Sequence, residues 1–185
     1  MQLSNMYLIW LAGTIPSFLG SFKNLTVLRL NDNSLHGTIP IQLSNCVKLN
    51  TLRLYNNFLE GTIPYQFSTS LLNLQELQLQ NNAFTGELFL SGQQHMLETV
   101  DVSNNLFQGN IPLDVFAVNA SLKNFAAVRN CFEGKLSSRM CRSKRLETLA
   151  MDGLAAAEKC PQSWLGKLSP RLMSGSIPDC NNRFY

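Results

Sequence analysis

Apolar residues recur along the chain in one fixed frame. Leu25, Leu28, Leu30 and Leu35 are followed by Leu49, Leu52, Leu54 and Leu59, then by Leu74, Leu77, Leu79 and Phe84. A fourth copy reads Leu97, Val100, Val102 and Phe107, and a fifth, degraded but legible, Leu122, Phe125, Ala127 and Phe132. One polar position is constant within the frame: Asn33, Asn57, Asn82, Asn105 and Asn130. A Gly-Thr-Ile-Pro tetrapeptide closes it at 13–16, 37–40 and 61–64, with variants beginning at Gly86, Gly109, Gly134 and Gly175. These glycines are 24, 24, 25, 23, 25 and then 41 residues apart. Five near-equal steps mark stacked copies of one supersecondary unit.

The frame predicts its own geometry. In Leu-x-Leu the two apolar side chains share one face and the residue between them faces solvent, the period-2 alternation of a half-buried strand. Stacked coils pair these strands into a parallel sheet that is open on one face. The constant Asn turns inward at the bend leaving the strand, where its amide satisfies backbone groups. Gly and Pro shape the return of the chain across the back. A single coil cannot cover its own apolar edges, so stability is a sum of contacts between neighbours.

The longer pattern L-x-x-L-x-L-x-x-N-x-L-x-G-x-I-P resembles the plant-type leucine-rich repeat of receptor kinases, receptor-like proteins and polygalacturonase inhibitors, with similar repeats in algal and diatom proteins. The resemblance covers about residues 13–151. It implies an α/β-type repeat fold, a right-handed solenoid with a parallel sheet on its concave face and short 3-10, β or irregular segments on its convex face. It specifies the fold closely and function much less, since sites are grafted onto folds.

The chain is expected to be one domain, with a degraded first repeat over 1–24, regular repeats over 25–151 and an irregular repeat or cap over 152–185. Counting back from Gly13 puts Ser4 where Leu belongs and Ile9 where Asn belongs. At the other end Leu146, Leu149 and Met151 keep the frame, but Leu154 replaces the Asn. Neither end shows a paired-cysteine cap, which points to a fragment of a longer repeat protein; an unusual cap over 152–185 is the alternative. The apolar stretch Tyr7–Ala12 lacks the basic residues that precede the core of a secretion signal, so a damaged repeat is the better reading.

Hydrophobic residues make up 45% of the chain and charged residues 15%, a globular composition. The net charge of +3 gives no concentrated basic face for nucleic acid; the nearest approach is the short run Arg139–Arg145. No apolar run reaches the roughly 20 residues that cross a bilayer. Five cysteines cannot all pair within one chain. Cys46 and Cys131 are expected as free thiols, and Cys141 with Cys160 as a candidate bridge, with Cys160 to Cys180 competing. Sequons at Asn24 and Asn119 lie where the chain turns at the surface before a strand and modestly favour a secreted route.

No residue set calls for catalysis. His36 and His95 stand at non-equivalent places in their coils without a nucleophile beside them, and both read as exposed turn residues. Gly-Thr-Ile-Pro lacks the Lys and Ser/Thr of a phosphate-binding loop, and no metal-ligand spacing or cofactor motif is present. Function is therefore expected on the solvent-facing columns of the sheet. The central column reads Arg29, Arg53, Gln78, Asp101, Ala126 and Ala150. Beside it run Asn31, Tyr55, Gln80, Ser103, Val128 and Asp152 on one side, and Val27, Thr51, Glu76, Thr99, Asn124 and Thr148 on the other. Arg29 and Arg53 are like charges one strand apart, an arrangement that invites a carboxylate. The candidate ligand-binding set is Arg29, Arg53, Tyr55, Gln78, Gln80 and Asp101. The plainer reading is two solvated arginines sharing their charge with Asp32 and Glu76. Ala126, Val128 and Ala150 form a small apolar stretch, either a contact surface or a place covered by the tail.

The resemblance implies a non-catalytic module that binds a protein or peptide, at the outer face of the plasma membrane or secreted. A soluble inhibitor or scaffold, and an intracellular repeat protein with reduced thiols, are the alternatives.

Overall fold

The computed structural model describes residues 2–3, 11–118, 121–133 and 145–151. Successive coils each supply two short strands. They are β1 (Gln2–Leu3) and β2 (Ala12–Gly13), β3 (Val27–Arg29) and β4 (Ser34–Gly37), β5 (Thr51–Arg53) and β6 (Phe58–Gly61). Then follow β7 (Glu76–Gln78) and β8 (Ala83–Glu87), β9 (Thr99–Asp101) and β10 (Leu106–Asn110), β11 (Asn124–Ala126) and β12 (Cys131–Glu133), and finally β13 (Thr148–Ala150). The odd-numbered strands form a seven-stranded parallel sheet in sequence order, and the even-numbered strands a six-stranded one. The molecule is a solenoid whose coils run strand, turn, strand, return.

Strands of three residues are too short to persist alone. They are held because their central residues Leu28, Leu52, Leu77, Val100, Phe125 and Leu149 are buried in one continuous core. Each such side chain contributes about 1.5–3 kcal/mol on burial. Where the second sheet carries Leu35 and Leu59 in early coils, later ones carry Phe84, Phe107 and Phe132. Their rings stack in series at centroid separations of 6.1 and 6.2 Å.

The returns follow coil length. The two 24-residue coils that open at Gly13 and Gly37 cross the back with 3-10 turns at Ser17–Ser21 and Ile41–Asn45. The 25-residue coils that open at Gly61 and Gly109 use single α-turns instead, α1 (Gln66–Ser70) and α2 (Asp114–Val118). One added residue converts i→i+3 closure into i→i+4, visible in the Leu71 N–H donating to the Phe67 carbonyl at 3.1 Å. The 23-residue coil that opens at Gly86 has no helical turn. Buried Gln94 fills the space, donating from Nε2 to the Phe67 and Leu71 carbonyls at 3.3 and 3.5 Å.

Two close approaches fix the pitch. Gly61 has φ +76°, and a Cβ there would lie 2.8 Å from the Thr38 methyl. A Cβ on Gly20 would strike the Gln42 carbonyl of the next return.

The first coil corrects the sequence register. Leu3, not Ser4, pairs with Leu28, so this coil holds one residue more between strand and glycine than the next. Leu11 already receives the repeat's polar bond, its N–H donating to Asn33 Oδ1 at 3.0 Å. Among the described residues, no helix is long and apolar enough to cross a membrane.

Candidate functional site

Parallel register sets the open face of the large sheet. Arg29 pairs with Arg53, Arg53 with Gln78, Gln78 with Asp101 and Asp101 with Ala126, so the central column is continuous. Most of its residues are half-buried, because side chains about 4.8 Å apart cover one another. The flanking columns are less open than their alternation suggests. Val27, Asn31 and Ser103 are buried. Asn31 bends away to donate from Nδ2 to Asp32 Oδ2 at 2.7 Å, and Ser103 is drawn down as its N–H donates to Asp101 Oδ1 at 2.9 Å.

The two arginines differ. Arg53 makes a two-pronged pair with Glu76, Nε to Oε1 at 2.9 Å and Nη2 to Oε2 at 3.0 Å. Asp32 does not serve Arg29; its carboxylate accepts from Asn31 and Asn56. Arg29 Nε is buried and has no hydrogen-bond partner. Gln80 Oε1, two strands along in the flanking column, is in the same condition. A buried polar atom without a partner costs about 1–3 kcal/mol. Further along the sheet Lys123 is matched by Glu98 at 2.7 Å, and Ala126, Val128 and Ala150 are half-buried.

Below the face run two ladders of polar side chains. In the inner one, Asn57 Nδ2 donates to the Leu54 and Tyr55 carbonyls of its own coil and to the Leu30 carbonyl of the coil before. Its Oδ1 accepts the Leu35 N–H. Asn82, Asn105 and Asn130 repeat this pattern on their own neighbours, and Asn33 begins it. The outer ladder has no counterpart among the sequence expectations. Asp32, Asn56, Asn81, Asn104 and Arg129 all have φ between 53 and 59°. Asn56 donates to Asp32, Asn81 to Asn56 and Asn104 to Asn81, at 2.6, 2.6 and 2.7 Å. Its signal was the doublets Asn56-Asn57, Asn81-Asn82 and Asn104-Asn105, since Asn is the side chain that best tolerates the left-handed region.

Cys46 is a buried free thiol, its Sγ 3.4 Å from the Leu19 carbonyl. Burial pushes its pKa up, and Lys23 opposes this in part. Cys131 is not the free thiol expected: it is disulfide-bonded, to a partner outside the described residues. It opens β12 at a sheet edge, a position from which the repeat pattern alone says nothing about a bridge. Cys141, Cys160, Asn119 and Asp152 lie outside the described residues. Asn24 is exposed just before β3, its Oδ1 accepting from Lys48 Nζ at 2.8 Å. His36 and His95 are exposed, and among the described residues no group of His, Cys, Asp or Glu is placed to hold a metal.

A solenoid with an open parallel sheet and an inner asparagine ladder is a leucine-rich-repeat domain. The leucine-rich-repeat family model matches residues 24–46 and 48–70. The ectodomain of the Arabidopsis thaliana receptor kinase SOBIR1 is 35% identical with a TM-score of 0.64, the match covering 68% of this chain and 67% of that one. The chain belongs to the plant-type leucine-rich-repeat proteins. It is also similar to the plant peptide hormone receptor RGFR1, solved with RGF2, at 33% identity and TM-score 0.75 over 85% of this chain and 25% of that one. The Arabidopsis receptor kinase HAESA, solved with the peptide hormone IDA and the co-receptor SERK1, matches at 30% identity and 0.71 over 78% and 24%. The chain thus spans about a quarter of the length of these two receptors. No curated protein matches it by sequence.

Proposed function

We propose that this chain is a non-catalytic recognition segment that binds a protein or peptide on the open face of its large sheet, in the part bounded by Arg29, Arg53, Tyr55, Gln78, Gln80 and Asp101. The observation that carries this reading is the pair of buried polar atoms without partners on this face, Arg29 Nε and Gln80 Oε1. A donor and an acceptor on nearby rows suit an extended backbone with an acidic group, since a peptide supplies both complements at strand spacing. Structural relatives solved with peptide hormones support the same class of ligand.

An extracellular or secreted setting accompanies this reading. The Cys131 disulfide belongs in an oxidising compartment, and Asn24 presents a sequon on the surface.

The test is a random-peptide display selection on the intact chain, followed by affinity measurement of the selected peptides. Arg29→Glu is the informative variant, because Arg53 is already engaged by Glu76. Selected peptides are expected to carry an acidic side chain or free carboxylate and to lose about tenfold or more in affinity with Arg29→Glu. Unchanged affinity for Arg29→Glu would sink the reading.

A further inference from the structure

On the opposite side of the coil from the large sheet, the repeat breaks in a way the fold does not require. The column after Gly-x-Ile reads Pro16, Pro40, Pro64 and Pro112, but the coil between the last two carries Phe89. Its ring meets Tyr65 of the preceding coil edge-on at a centroid distance of 5.6 Å. Neither ring serves the core: Tyr65 is 57% exposed and Phe89 37%. Together they wall an open groove of about 430 Å3.

The rest of the groove has a consistent chemistry. Ile39 and Ile63 form a buried apolar floor, and exposed Ile41 with Pro64 extends it. Thr38, Thr62 and Gln66 stand exposed around it, and none of their side-chain polar groups has a partner. Among the described residues, no charged side chain lines it. Aromatic faces, unengaged hydroxyl and amide groups, and the absence of charge select a ligand that is neutral, ring-shaped, apolar on its faces and polar at its edge. A pyranose has that form: its C–H face lies on an aromatic ring while its hydroxyls reach surrounding donors and acceptors. An anionic sugar would find no counter-charge, and a purely apolar ligand would leave the threonines and Gln66 unused.

We propose that this groove is a binding site for a neutral glycan, held in the corner between the perpendicular rings of Tyr65 and Phe89 and hydrogen-bonded by Thr38, Thr62 and Gln66. It is separate from the large-sheet face and does not depend on the peptide reading.

The experiment is saturation-transfer NMR and titration of the intact chain with cellotetraose, mannotetraose and xylotetraose as neutral probes, and tetragalacturonate as the charged control. At least one neutral probe is expected to bind, with the charged control weaker by about tenfold or more. Tyr65→Ala and Phe89→Pro are each expected to weaken binding by about tenfold or more, the usual scale for losing an aromatic anchor. Phe89→Pro returns the coil to its own repeat pattern, so it separates ring loss from misfolding; Phe89→Ala with a matching thermal melt serves where proline is not accepted. Arg29→Glu, on the other face, is expected to leave glycan binding unchanged. The proposal is overturned by failure of every neutral probe, by preference for tetragalacturonate, or by binding that survives both aromatic substitutions.

Discussion

Asn56 and Asn57 are neighbours in the chain and both carry an amide into a ladder, yet the two ladders hold the molecule differently. Asn57 is buried, and its amide bonds only to backbone: three carbonyls and one N–H, split between two coils. Asn56 is exposed, and its amide bonds to the side chains above and below it, Asp32 and Asn81. At Asn57, Asn105 and Asn130, which are buried, the inner ladder satisfies groups that water cannot reach, so those rungs are required. The outer ladder joins groups that water could serve equally well, so its hydrogen bonds add little and its residues are selected largely by backbone conformation. Burial, not the number of hydrogen bonds, separates the two.

The largest expected effect lies in the inner ladder. Asn105→Leu keeps the volume but strands the Phe84 N–H and takes one donor each from the Leu79, Val102 and Ser103 carbonyls, which keep the Asn82 and Asn130 amides and the Asn81 N–H. With one buried unsatisfied group costing about 1–3 kcal/mol and the other lost hydrogen bonds about 0.5 kcal/mol each, the total is expected to be about 3 kcal/mol. Urea unfolding measures it. A loss no larger than that of an outer-ladder substitution would erase the distinction.

The next effect separates backbone from side chain within the outer ladder. Asn81 has φ 59°, gives its Nδ2 to Asn56 and takes Asn104 on its Oδ1. Asn81→Ala loses both bonds and puts a Cβ residue without local help in the left-handed region, for about 1.5 kcal/mol. Asn81→Gly loses the same bonds without the strain and is expected to cost about 0.5 kcal/mol. Equal losses in the two variants would mean that the amide bonds, and not the backbone, set the outer column.

The same contrast explains what the sequence displays. A residue that satisfies backbone groups between coils recurs through five consecutive coils, so Asn33, Asn57, Asn82, Asn105 and Asn130 stand out at once. The outer column reads Asp, Asn, Asn, Asn and Arg, and its common property is a dihedral angle that residue type signals only weakly. Coil length behaves likewise: spacings of 23, 24 and 25 are plain, but their conversion into Gln94, 3-10 and α returns needs the stacked coils. The extra residue in the first coil displaces Leu3 from its expected place, because the glycine spacing does not hold constant back to the first strand. On the open face, alternation identifies the columns but not that Glu76 holds Arg53 while Arg29 is left over, which depends on side-chain reach across strands. Phe89 is visible in the sequence only as a departure from Pro, since its meaning lies in meeting Tyr65 one coil away.

The smallest effect is the most discriminating, because it asks whether the outer ladder can be extended. Arg129 has φ 54° and occupies the rung below Asn104, a residue type that gains nothing from the left-handed region. Arg129 has a further interaction of its own in the parent. In Arg129→Asn the new amide stands one coil from Asn104 Oδ1, as Asn104 stands from Asn81, and its side chain eases the local backbone. The expected gain is about 0.5 kcal/mol, the part of the left-handed penalty that asparagine relieves. Arg129→Gly removes the same penalty without supplying an amide. A thermal-melt comparison of the two variants with the parent therefore isolates one rung. Asn stabilising more than Gly assigns the difference to the amide bond; Gly equal to or above Asn reduces the outer ladder to a row of residues that share a backbone angle.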